Sequence, residues 1–147
     1  EYGNPTSVVE LHEKMNEKRF KKSEFIREEL NFIRRYGPPD AEIGAIGWGS
    51  SKGAIKEAVL KLNDEGYKVS AIIPQIIYPL PFKKFEEFLA PLKKAIIFEL
   101  SYTAQFLKYL RSHFDLPLKP ILYKRSGATP FTVEEIYNKI KSELERR

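Results

Sequence analysis

An α/β fold, with a mostly parallel sheet between two helical layers, is predicted by three features of the sequence. Four short apolar runs read as strands: "AEIGAIGWG" from Ala41, "KVSAIIPQII" from Lys68, "KKAIIFEL" from Lys93 and "KPILYKR" from Lys119. Amphipathic helical segments separate them, and parallel neighbours need such crossovers. The break "YGPPD", Tyr36 to Asp40, halts a preceding helical pattern and changes the period.

The elements follow in order. Residues Ser7 to Arg35 read as a helical lead-in, with Val8, Leu11, Met15, Phe25, Ile26, Leu30 and Ile33 as its apolar positions and the charged run Lys18 to Lys22 as a solvated stretch. The domain boundary is placed at the break: 1–36 as the lead-in from an upstream domain, 37–147 as the α/β domain. After the first strand, Ala54, Ile55, Ala58, Val59 and Leu62 form one helical stripe ending near Gly66. "PFKKFEEFLAPL" turns Phe82, Phe85, Phe88 and Leu89 inward. "YTAQFLKYLRSHF" places Tyr102, Phe106, Tyr109, Leu110 and His113 on one face. The last helix, "TVEEIYNKIKSELERR", opens with a capping box of Thr132 and Glu135.

Composition narrows the function classes. At 147 residues with 42% hydrophobic and 31% charged residues, the chain suits one compact domain. It contains no cysteine, which removes disulfides, thiolate catalysis and cysteine-held metal clusters from this chain. The net charge of +5 is spread through interleaved Lys and Glu, so nucleic acid is not expected as a partner. Abundant Lys and Glu with two Gln leans toward a thermophilic source. No apolar run reaches the length of a membrane span, so a cytoplasmic protein without membrane contact is expected. The chain starts at Glu1 and reads as a piece of something longer.

Candidate chemistry lies where strands end. The "GWGSSKG" turn joins a strand to a helix, as phosphate-binding loops do, and Gly49, Ser50, Ser51, Lys52 and Gly53 are the candidate anion or interface turn. Its glycines are spaced GxGxxxG, one residue too long for the dinucleotide fingerprint, and Lys52 precedes Gly53 where a P-loop requires the reverse. The serines as helix caps and the glycines as close-packing points are the plainer reading. Glu99 ends a buried strand, and with Tyr102, Thr103 and Gln105 it forms a polar cluster at the expected crevice. It serves equally well as a helix cap. Ser112, His113 and Asp115 are too close in sequence for a catalytic triad, and His113 reads as a cationic or capping group at a helix end. His12 stands alone, so no metal site is expected from the two histidines. No catalytic residue is assigned.

Together, "EYGNP", "EKRFKK", "GWGSSKGAIKEAV", "YPLPF", "FELSYTAQ" and "SGATPFTVEEI" resemble, in order and spacing, the alpha subunit of 2-oxoacid:ferredoxin oxidoreductases. The resemblance covers the whole chain and corresponds to the C-terminal domain of that subunit, which is similar to the C-terminal domain of transketolase. It implies membership of a machine that decarboxylates a 2-oxoacid on thiamine diphosphate and Mg, passes electrons through iron-sulfur clusters to ferredoxin, and transfers the acyl group to coenzyme A. No cofactor is expected in this chain. The implied partners are the beta subunit and other domains, and the isolated piece is expected to be inactive. Around Glu99 the chain departs from the family pattern: Leu100 and Ser101 stand for two asparagines, and Ala104 stands for a glycine. The rival reading is a free-standing, flavodoxin-like module that binds a phosphate or nucleotide.

Overall fold

The computed structural model describes residues 3, 5–29, 32–117 and 119–146. Five strands form one sheet in the order β1-β3-β2-β4-β5. They are β1 (Ile33–Tyr36), β2 (Ile43–Ile46), β3 (Val69–Pro74), β4 (Lys94–Glu99) and β5 (Ile121–Lys124). The helices are α1 (Val9–Glu29), α2 (Lys52–Asp64), α3 (Phe82–Leu89), α4 (Gln105–Arg111) and α5 (Val133–Glu145). β2, β3, β4 and β5 run parallel, while β1 lies antiparallel against β3.

Side chains alternate across each strand, so one strand feeds two cores. Ile46, Ile72 and Ile97 face α3 and α4, where Phe85, Phe88 and Leu110 meet them. Ala45, Ala71, Ile96 and Phe98 face α2 and α5 and pack on Ile55, Val59, Ile136 and Ile140. β3 is buried along all of its residues. Covering both faces of the sheet explains why these runs are nearly continuous in apolar residues. The three-layer α/β/α arrangement is the expected one.

Two elements differ from the sequence reading. The helical pattern was extended to Arg35, but α1 stops at Glu29 and Ile33–Tyr36 forms a strand, with Ile33 opposite Pro74 and Tyr36 opposite Ala71. Ile33 has helical spacing from Ile26, yet the ladder on β3 buries it and satisfies the backbone, so tertiary pairing overrides local period. Leu30 lies outside the described residues. α4 starts at Gln105, three residues later than the "YTAQ" reading, so Tyr102 stands on the preceding loop, 79% exposed, and does not share a helix face with Phe106 and Tyr109.

α5 shows the expected capping box: Glu135 donates its amide to Thr132 Oγ1 at 3.1 Å, and the Glu135 carboxylate accepts the Thr132 amide at 2.8 Å. At its other end, Lys94 Nζ donates to the carbonyls of Glu143 and Arg146 at 2.6 and 2.8 Å. The buried Glu143 carboxylate accepts from Lys139 at 2.7 Å and from Arg146 at 3.0 Å. The Lys139 ammonium holds the Glu143 carboxyl below its ordinary value of 4.5. A lowered folded value means the pair stabilises the fold above pH 4.5, and that contribution is lost as pH falls through the folded value. Urea midpoints measured between pH 7 and 3 should therefore drop less steeply below about 4.5 in Glu143→Gln than in the parent.

Candidate functional site at the carboxyl ends of the strands

From β2 the chain crosses by α2 to β3 on one side, and from β4 it crosses by α4 to β5 on the other. The neighbours β2 and β4 are therefore the point where the winding reverses, and a crevice opens at their carboxyl ends. Its two walls are the turn after β2 and the loop after β4. Trp48 and Phe106 close the gap between them, with ring centroids 6.0 Å apart.

The first wall uses its polar groups on itself. Gly49–Ser51 forms a 3-10 turn leading into α2. The Ser51 amide and hydroxyl both donate to the Trp48 carbonyl, at 3.4 and 2.8 Å, and the Lys52 amide donates to the Gly49 carbonyl. Ser51 is buried, and its side chain does not cap α2 as the sequence reading allowed. Ser50 and Gly53 remain exposed and Lys52 half-buried. A methyl group at Gly47 would press on Ile55 and on Ser51 Oγ, so that glycine serves the close packing of the turn.

The second wall is organised by Glu99, which is 1% exposed. Its Oε1 accepts the Ser101 hydroxyl at 2.6 Å and the Phe106 amide at 2.8 Å, while Oε2 accepts the Leu107 amide at 3.1 Å. Two orphan amides of the first turn of α4 are thereby satisfied by a carboxylate placed at the positive end of the helix. Glu99 acts as a helix cap held inside the protein. Ser101, one of the departures from the family pattern, is part of that cap, and Gln105 donates its amide to Ser101 Oγ at 3.4 Å. Tyr102 and Thr103 stand exposed on the loop, and Gln105 is exposed at the start of α4. Lys124 braces it by donating to the Tyr102 carbonyl at 2.6 Å, with its ammonium 5.6 Å from the Tyr102 ring.

Ala104 has φ 55°, in the left-handed region where glycine is at home. Ala104→Gly would relieve about 1–2 kcal/mol of backbone strain. It would also lose a buried methyl worth about 0.8 kcal/mol and gain about 0.4–1 kcal/mol of unfolded-chain entropy cost. The two sides nearly cancel, so unfolding in urea should show a change within about 1 kcal/mol.

The remaining candidates do not join this site. His113 packs among the rings of Phe82, Tyr109 and Phe114 at centroid distances of 5.2, 4.8 and 6.4 Å. His12 lies on α1 beside Asn16, at 3.3 Å. A wide concavity of about 660 Å³ follows α1 past Lys14, Lys22 and Phe25, but one helix supplies its entire lining, so it is an open flank. Sequence reasoning missed Trp48 and Tyr78, exposed by 39% and 59% at the ends of β2 and β3. The only tryptophan of the chain, set inside a glycine-rich turn, was the available signal for the first.

Protein families place this architecture. The family model described as pyruvate:ferredoxin oxidoreductase core domain II matches residues 41–136. The chain belongs to that family. Among relatives of core domain II, the 2-oxoacid:ferredoxin oxidoreductase subunit alpha of Saccharolobus solfataricus is 30% identical over 149 residues, covering 99% of this chain and 23% of the relative. The solved 2-oxoglutarate:ferredoxin oxidoreductase of Magnetococcus marinus, with 2-oxoglutarate, coenzyme A and succinyl-CoA bound, superimposes with a TM-score of 0.84 at 34% identity. That match covers 97% of this chain and 25% of the other. A split-gene transketolase, 12% identical with a TM-score of 0.52 over 76% of this chain and 41% of the other, shares the fold alone. The chain spans about a fifth to a quarter of the length of the Aeropyrum pernix, Saccharolobus solfataricus and Magnetococcus marinus relatives, whereas its match to the alpha chain of a probable 2-oxoacid ferredoxin oxidoreductase from Thermoplasma acidophilum covers 97% of that chain, at 24% identity and a TM-score of 0.51 over 78% of this one.

The donors present do not fit the metal cofactors that the family resemblance implies. Iron-sulfur clusters are held by thiolates, and the chain has no cysteine. Among the described residues no group of three His, Asp or Glu side chains is placed to hold a metal ion. No helix among the described residues is long and apolar enough to cross a membrane.

Proposed function

We propose that this chain is the C-terminal structural and assembly domain of the alpha subunit of a cytoplasmic 2-oxoacid:ferredoxin oxidoreductase. In this reading the enzyme decarboxylates a 2-oxoacid on thiamine diphosphate, reduces ferredoxin through iron-sulfur clusters and forms an acyl-CoA. The cofactors are held by other domains or by the beta subunit, and the isolated domain has no activity. The observation that carries the reading is the superposition of 97% of the chain, at 34% identity, on one quarter of an oxidoreductase chain. The division into a lead-in over 1–36 and an α/β domain over 37–147 belongs to the same proposal, with Ile33–Tyr36 of the lead-in contributing the edge strand.

The rival, a free-standing phosphate or nucleotide module, is the weaker reading. The hollow lined by Trp48, Gly49, Ser50, Ser51 and Leu100 measures about 130 Å³. Sites for small organic ligands are roughly 300–1,000 Å³. The amides of Ser51 and Lys52, which an anion would need, already serve carbonyls of the turn.

The test is to recover the native polypeptide from source cells with an antibody to this domain. The expected result is a chain well above 17.1 kDa, carrying thiamine diphosphate and iron and showing 2-oxoacid- and coenzyme A-dependent reduction of viologen. A lone polypeptide close to 17.1 kDa, without those cofactors, would overturn the assembly reading.

A further inference from the structure

The two ends of the sheet differ in charge. At the amino ends, acids and bases are paired: Lys93 with Glu42 at 2.6 Å, Lys139 with Glu143 at 2.7 Å, Lys141 with Glu65 at 3.1 Å. At the carboxyl ends acids are few. Across Ile43 to Lys56, Val69 to Phe85 and Lys94 to Lys108, which are three of the parallel strands with the loops and first helical turns that follow them, the sole acidic residue is the buried Glu99; after β5, the first turn of α5 carries Glu134 and Glu135, and Glu135 is paired with Arg125 at 2.9 Å. Lys52 and Lys124 stand at this end without a carboxylate partner among the described residues. The same end exposes Trp48, Tyr78 and Tyr102, which follow the three adjacent strands β2, β3 and β4. Adjacent strands lie about 4.8 Å apart, so the three loops share one face.

We propose that this carboxyl-end face docks an acidic face of a companion polypeptide in the assembly, a step that rests on reading the chain as an assembly domain. Trp and Tyr are the side chains most enriched among binding hot spots, and Tyr102 is well prepared for that role. Its loop is fixed by the Glu99 cap on one side and by Lys124 on the other, so little ordering entropy remains to be lost on binding. Lys124 spends one N–H on the Tyr102 carbonyl and keeps two for a partner. Lys52 and Lys124 lie within the reach of electrostatic steering, which raises association rates toward an acidic surface. A phosphate-bearing small molecule fits less well, because the hollow is only about 130 Å³.

The experiment is zero-length carbodiimide cross-linking of the native assembly isolated through this chain, followed by peptide mass spectrometry. Lys52 or Lys124 is expected to be joined to an Asp or Glu of a different polypeptide. The double variant Lys52→Glu, Lys124→Glu is expected to weaken association at least tenfold at low salt, with circular dichroism unchanged. Lys124 is exposed and Lys52 half-buried, and a glutamate in the first turn of α2 favours the helix; Lys124→Gln, which also gives up the bond to the Tyr102 carbonyl but adds no negative charge, separates loss of the brace from reversal of charge. An intact assembly in which neither lysine cross-links, or in which they link only to other regions of the same polypeptide or to a second copy of it, overturns the docking face alone. So does protection of both lysines from acetylation by inorganic pyrophosphate in place of a protein partner. A chain that purifies by itself overturns the assembly-domain reading instead.

Discussion

Replacing Glu99 by Ala is expected to lower the unfolding free energy by about 3 kcal/mol, more than loss of an ordinary exposed helix cap would. The carboxylate is buried and serves the amides of Phe106 and Leu107 together with the Ser101 hydroxyl. Truncation leaves two buried amides without an acceptor, each costing about 1–3 kcal/mol, with water entering the new space offsetting part of this. For a domain of this size the melting temperature should fall by roughly 10 °C. Glu99→Gln separates shape from charge. Its carbonyl oxygen can accept one amide while its NH2 faces the other, so about 2 kcal/mol should still be lost. Urea unfolding of the two variants beside the parent measures both. An Ala variant as stable as the parent would remove Glu99 from its capping role.

The second large effect is expected at Gly37→Ala, a change that introduces a single methyl. Gly37 sits at φ 77° between β1 and the Pro38–Pro39 step, and a Cβ there would run into the Val69 carbonyl oxygen and approach the Ser70 Cα to 3.0 Å. The obstacle is backbone of the central sheet, which cannot swing aside as a side chain would. Left-handed strain of about 1–2 kcal/mol adds to an overpacking cost of about 1–3 kcal/mol. A loss near 4 kcal/mol is expected, with amide hydrogen exchange accelerated first in β1 and the facing part of β3. Uniform acceleration across the whole sheet would instead place the clash in the global core.

The sequence made some of this fold readable and concealed the rest for physical reasons. The central parallel strands were legible because β3 and β4 are buried along nearly their whole length and read as apolar runs, while the edge strand β5 shows its apolar run Ile121–Tyr123 though only half-buried. The capping box of α5 was legible because a Thr and a Glu three residues apart satisfy each other locally. β1 was hidden, because Ile33 and the arginines beside it suit a helix equally well and only the ladder on β3 decides. At the candidate site, the sequence located Glu99 at the crevice and left its role open between acid and cap. In the fold its carboxylate accepts the Phe106 and Leu107 amides of the first turn of α4 and the Ser101 hydroxyl. The helical period continues back through "YTAQ" and puts Tyr102 on one face with Phe106 and Tyr109, whereas the left-handed Ala104 delays the helix until Gln105.

β1 has a consequence for how the protein behaves in a crowded solution. An open sheet edge offers unpaired amides and carbonyls to any passing strand, and long flat edges seed aggregation. Here the sheet stops at a strand of four residues whose middle positions are the exposed Arg34 and Arg35. A second molecule adding itself along this edge would have to bring strands against two fixed positive charges over a very short ladder. The other border, β5, is equally short and ends on Lys124. The hydrophobic sheet is thus fenced on both sides by brief, cationic borders, which keep its backbone from becoming a template for fibre growth.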